Sequence, residues 1–111
     1  MEFESYHAHV YYDEATRGHA TEVRAELARR FPVALGRWHD APVGPHPASM
    51  YQVAFAAAEF PRVVPWLMAH HGPLSVLIHP NTGDDLGDHA DRALWLGRQL
   101  ELKLELFSEG G

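Results

Sequence analysis

The chain of 111 residues contains no cysteine. That excludes disulfides, thiolate zinc sites, iron–sulfur clusters and a cysteine nucleophile, leaving imidazole, carboxylate and hydroxyl chemistry for any reactive site. Basic charge is scarce as well: 9 Lys+Arg stand against 15 Asp+Glu, for a formal net charge of −6. The arginines are scattered, with Arg24, Arg29 and Arg30 on one expected helix and no basic stripe, so no nucleic-acid partner is expected. No apolar run approaches membrane-spanning length, and Met1 to Ser5 is acidic without a signal-peptide core, so no membrane association is expected either. The missing cysteines suit a reducing compartment, and the expected location is cytoplasmic. At this length the chain reads as one domain, 1–111, with a single core.

What is abundant is histidine, with 9 in the chain. Their placement depends on the elements that carry them. Tyr6 to Tyr12 alternates as a strand, and Asp13 can cap a helix running to Arg30. Ala20, Val23, Leu27 and Phe31 give that helix one apolar stripe, and Pro32 ends it. Val33 to Trp38 reads as a second strand, with Val33, Leu35 and Arg37 on one face. Residues 39–49 form a proline-rich loop, and Tyr51 to Phe55 a third strand. A second helix is expected from Pro61 to His71, burying Phe60, Val63, Val64, Leu67 and Met68. Pro65 sits in its first turn or bends it, and Gly72 stops it. Leu74 to Ile78 reads as a fourth strand, Asn81 to Asp85 as a turn, and Asp88 to Gly97 as a short helix. From Leu100 to Leu106 leucines alternate with polar residues; the pattern is that of a fifth strand, although the composition favours helix.

The order βαββαβ, followed by a small helix and strand, is the ferredoxin-like pattern: an α+β fold with an antiparallel sheet and both main helices on one face. Right-handed crossovers are expected to set strands one and three side by side and parallel, with strand four beside strand one.

His7 and His9 stand two apart on strand one, so they share a face, roughly 7 Å apart by the strand rise. In the expected topology His79, directly after strand four, and the loop residues His39 and His46 reach the same end of the sheet. Parity sends Ala8, Val10, Val76 and Ile78 under the helices. It sends His7, His9, Tyr11, Ser75, Leu77 and His79 to the open face, which a second subunit or the leucine-rich tail would cover. Neutral imidazoles suit iron(II), zinc, copper and nickel; two of them with a carboxylate would leave iron(II) open positions for substrate and dioxygen. Glu4, Asp40, Asp84, Asp85 and Asp88 are candidates for that carboxylate, none singled out by spacing, and His46 could equally be the third ligand. His70 and His71 read as helix C-terminal residues, His19 as solvent-facing, and His89 is undecided. Trp38, Trp66 and Trp95 read as core. Arg37, if on the open face, could pair with a substrate carboxylate.

Several stretches resemble the DOPA 4,5-dioxygenase-like proteins of fungi and bacteria. They are Tyr6-His-Ala-His-Val-Tyr11, Val43-Gly-Pro-His-Pro47 followed by Met50-Tyr51, and Val64-Pro-Trp-Leu67. His79-Pro-Asn-Thr-Gly83 and Asp88-His89 with Trp95-Leu-Gly97 continue the series. The resemblance implies a ferredoxin-like fold, a homodimer, and extradiol cleavage of a catechol such as L-DOPA by non-haem iron(II) and dioxygen, with zinc able to occupy the same imidazoles in purified protein. Carried onto this sequence, it makes His9, His46 and His79 the metal ligands and His7, His39 and His89 the acid/base or substrate-binding groups. A second functional class stands beside it: a non-catalytic, dimeric ferredoxin-like module whose histidines bind a metal or small ligand.

Overall fold

Period-two alternation in three long strands builds the centre of the molecule. The computed structural model describes residues 2–108. Its strands are β1 (Ser5–Tyr12), β2 (Ala34–Leu35), β3 (Ser49–Ala56), β4 (Ser75–Pro80) and β5 (Leu94–Leu96), in the spatial order β2-β3-β1-β4-β5. The helices are α1 (Arg17–Arg30), α2 (Phe60–His70), α3 (Asp85–His89) and α4 (Glu105–Ser108). The fold is α+β, and every strand pair is antiparallel. Ala8, Val10, Val53, Phe55, Val76 and Ile78 form the helix-side face and pack with Ala20, Val23, Leu27, Val63 and Leu67. Burying each large aliphatic side chain there stabilises the fold by about 1.5–3 kcal/mol. Trp38 and Trp66 pack against this core, and Trp95 against a smaller apolar cluster on the other face.

The antiparallel β1/β3 pairing corrects the expected parallel one. β2 runs in the direction of β1, and the reversal between β2 and β3 sets β3 against both. One consequence reaches the site. Ser49, where the loop enters β3, lies opposite Tyr12 rather than opposite the start of β1. The loop therefore arrives at the far end and folds back over the open face to bring His46 inward. His79 lies within β4, paired with His7, instead of following the strand.

Other differences are local. Asp13 does not cap α1 directly; Asp13 Oδ1 accepts from the Thr16 amide and hydroxyl, both at 2.9 Å, and the helix starts after Thr16. β2 is only two residues long, being an edge strand with one neighbour and Gly36 next to it. Pro65 lies inside α2, and Met68 is 59% exposed because the buried stripe is limited to Val63, Val64 and Leu67. Asp88 to Gly97 is not one helix: α3 ends at His89, and β5 pairs with the free edge of β4.

The leucine-rich tail is not a strand. Residues 100–103 join no ladder, with Lys103 N donating to Pro45 O at 2.9 Å, and α4 follows where helix-favouring composition prevails. The alternation nonetheless brings Leu100 and Leu102 onto Tyr11, Met50 and Leu77. The tail thus covers part of the open face. Among the described residues no helix is long and apolar enough to cross a membrane.

Candidate metal centre

Four segments deliver five imidazoles to the open face. β1 projects His7 and His9 by parity, β4 projects His79 beside them, the loop before β3 contributes His46, and α3 contributes His89. The His9 ring centre lies 4.3 Å from that of His46, 5.1 Å from His79, 5.9 Å from His89 and 6.0 Å from His7. His79 and His89 are 4.0 Å apart, and Phe107 of α4 covers His89 at 4.7 Å. His9, His46 and His79 are buried, while His7 and His89 are partly exposed.

Backbone carbonyls set the tautomers of two rings. A carbonyl only accepts, so His79 Nδ1–H donates to Pro80 O and His89 Nδ1–H to Asp85 O, both at 2.8 Å. With Nδ1 so engaged, Nε2 is the nitrogen each ring has free to offer a metal, the arrangement found at imidazole ligands. The Nε2 atoms of His9 and His79 are 3.0 Å apart, the Tyr11 hydroxyl is 2.7 Å from His46 Nδ1, and His9 Nδ1 is buried without a partner.

Ligand atoms of His7, His9 and His79 lie within 4.8 Å of one another, and so do those of His9, His46 and His89. Both sets fit a cation that prefers imidazole nitrogen. The expected triad of His9, His46 and His79 draws members from both sets. Among the described residues no carboxylate joins either one. Asp40 is held by Arg17 and Tyr12, Asp84 by Arg92 and the Gly87 amide. Asp88 is held by Thr82 and Arg92.

Burial and mutual repulsion favour the neutral form of His7, His9, His46 and His79, and burial is the larger cause at each of these four. It brings His46 to about 4, helped by His89, His79 and His39. It brings His79 to about 4, with the Pro80 hydrogen bond opposing and His89 and His7 adding to the fall. His9 lies well below the usual imidazole value through burial and its neighbours His46, His79, His89 and His7. His7 is lowered by burial and by His89. Neutral rings are the form that binds metals. Burial also raises the Tyr11 hydroxyl, so it stays protonated.

Two expected site residues stand apart. His39 forms an isolated antiparallel bridge with Met50, belongs to neither histidine set, and bears on the cluster through its repulsion of His46. Arg37 is exposed beside β2, at the opposite edge of the sheet from β5, and does not line the cleft that includes His89. His70 and His71 satisfy carbonyls around the end of α2, those of Trp66 and Leu74, as expected for helix-terminal residues. His19 does not simply face solvent, since its Nε2–H donates to His70 O at 2.9 Å.

Two residues the sequence placed near the site, Tyr11 on the open face and Asp88 as a candidate carboxylate ligand, turn out to support it instead of holding metal. Tyr11 shares the face of His7 and His9, and its parity was the available signal. Asp88, 2% exposed, accepts from the Thr82 amide and hydroxyl and from Arg92, tying down the residue before His89. Burial pushes the Asp88 carboxyl up, but these donors outweigh it and hold it ionised. The spacing of Asp88 and Arg92, four apart, was its signal.

Residues 6–106 match the sequence profile of the Dopa 4,5-dioxygenase family. The chain belongs to that family. A 21.2 kDa uncharacterized protein of Botryotinia fuckeliana is 37% identical over 92% of this chain and 62% of its own length. A DOPA 4,5-dioxygenase of Amanita muscaria is 32% identical over 93% of this chain and 49% of its own length. The chain thus spans about half to three-fifths of these two curated relatives. The crystal structure of a Nostoc punctiforme protein, provisionally assigned as a dioxygenase, superposes with a TM-score of 0.97 at 51% identity, covering 99% of this chain and 96% of that one.

Proposed function

We propose that this protein is a non-haem iron(II) extradiol dioxygenase cleaving a catechol such as L-DOPA. The observation that carries the reading is the all-imidazole cluster, with ring nitrogens gathered on one sheet face. The name borne by the Amanita relative supplies the substrate class.

His9 and His79 are the proposed core of the metal site. The family resemblance makes His46 the third ligand. The set with His7 is the better candidate, because its donor atoms already lie within 4.8 Å of one another. That leaves His46, 4.3 Å from His9, and His89, 4.0 Å from His79, for proton transfer. Bound there, iron(II) would supply Lewis acidity toward a catechol hydroxyl and a position for dioxygen. His89 offers a lone pair at Nε2, held in place by the Asp85 carbonyl, to receive a hydroxyl proton. Tyr11 keeps His46 oriented. Phe107, Leu100 and Leu102 limit water over the cluster. The same reading takes the working protein as a cytoplasmic homodimer, which light scattering at twice the chain mass would check.

The test is anaerobic loading with iron(II), then air with L-DOPA and simpler catechols. A yellow ring-cleavage product with matching oxygen uptake is expected. No product and no uptake with any catechol would overturn the enzymatic reading and leave the binding-module class.

A further inference from the structure

We infer that Trp95 is the platform on which the aromatic ring of the substrate lies, its hydroxyls directed at His89 across a gap kept open by Ala93. The inference rests on the dioxygenase reading above. Strand register places both residues on the histidine face. His9 on β1 stands opposite Leu77 on β4, and Leu77 stands opposite Trp95 on β5. Residues opposite one another across a sheet share a face, so Trp95 lies two strands from His9, about 10 Å by the strand spacing. Ile78 is paired with Leu94, and continuing that register by one residue sets Ala93 beside His79, one strand or about 5 Å away. Alanine there offers only a methyl group where a larger side chain would crowd the cluster.

The two residues meet in a cleft of about 490 Å³ whose wall also includes His89, Ala90, Leu100 and Leu102, a size suited to a small molecule. His89 belongs to both the cleft and the imidazole cluster, its ring 4.0 Å from that of His79. Trp95 reads as core in the sequence, yet it is only half-buried, and so is Ala93. The indole is held from outside the cleft. Tyr11 stacks on it with ring centres 5.8 Å apart and planes at 21°, and Tyr11 does not line this cleft. Because the Tyr11 hydroxyl is bonded to His46, the indole is also fixed relative to the histidines. Between Leu100 and Leu102 of the tail and the indole, the cleft offers apolar surface with one flat, steadied aromatic side. That surface suits a single aromatic ring, which stacks on indole in an offset arrangement.

The experiment is an anaerobic titration of iron(II)-loaded protein with 4-nitrocatechol, followed by the absorbance of the probe, with metal content measured on every variant. Wild type should bind. Trp95→Leu should weaken binding about tenfold, and Trp95→Phe, which keeps an aromatic face, by no more than about threefold. Ala93→Leu tests the same slot with the indole in place and should weaken binding about tenfold or more by filling it. Every variant should keep the metal content of wild type. No binding by wild type, unchanged binding in Trp95→Leu or Ala93→Leu, equal loss in Trp95→Phe and Trp95→Leu, or weakening that tracks lost metal would each overturn the assignment. Failure of the two readings is separable. Binding that depends on Trp95 and Ala93, without oxygen uptake from any catechol, keeps the aromatic slot and overturns the dioxygenase. Ring cleavage with 4-nitrocatechol binding indifferent to both residues does the reverse.

Discussion

The Nε2 atoms of His9 and His79 face each other at 3.0 Å across neighbouring strands. The Pro80 carbonyl keeps the His79 proton on Nδ1, so a lone pair points at His9. With both rings neutral and no cation, His9 has to donate there through Nε2, leaving its own Nδ1 as a buried acceptor with nothing to accept. Buried polar groups are rarely left so. The pair is arranged for a group that the chain does not itself supply.

Metal retention follows from that pair. His9→Ala and His79→Ala should each abolish metal retention through gel filtration, read by atomic emission on folded protein. His7→Ala should lose metal and His46→Ala should keep it. Full occupancy in both His9 and His79 variants would refute the core of the site, and the reverse result for His7 and His46 would restore His46 as the third ligand.

Removing the Tyr11 hydroxyl tests the orientation of His46. Tyr11→Phe should retain metal and lose about 1 kcal/mol of stability by urea titration. It should lower kcat roughly tenfold or more, since a mispositioned proton-transfer group is costly. Unchanged kcat would show that the 2.7 Å contact plays no part in turnover.

Acid should destabilise the metal-free protein over a defined window. His46 and His79 titrate at about 4 in the folded chain against 6.5 when free. Between those values the unfolded chain binds protons that the folded chain refuses, so stability falls as pH falls. The effect is absent above 6.5 and complete below about 4. Within that window each ring loses roughly 1.4 kcal/mol for every pH step of one, before coupling between the rings. Urea midpoints in chelator at about pH 7.5 and about pH 5 check it. Equal midpoints would contradict the burial of these rings.

The Asp88 network should be costly to break. Asp88→Ala strands Thr82 N–H and Arg92 and should cost about 3 kcal/mol, seen as a lowered Tm. A loss near zero would mean that α3 holds His89 without it.

Gly97→Ala should destabilise by about 1–3 kcal/mol, because the left-handed backbone and the Leu74 carbonyl both resist a Cβ. A neutral outcome would show that the turn relaxes freely.

Local pattern alone was enough for the three long strands, the two main helices and the faces of β1 and β4. Side-chain alternation is a property of the strand itself, so His7, His9 and Tyr11 had to emerge together wherever β1 was packed. The direction of β3, the route of the loop and the fate of the tail were settled elsewhere. Ser49 pairs with Tyr12 because of how β2 and β3 reverse, which no local spacing reports. Leu100 and Leu102 alternate as a strand would, yet they lie as an unpaired cover, because the edge of β4 is already taken by β5. His89 could be judged only after α3 brought it to 4.0 Å from His79. Histidine number and parity supplied the donors. Packing across distant segments selected which nitrogens meet, because hydrogen bonds from Pro80, Asp85 and Tyr11 exist only once those segments are folded against one another.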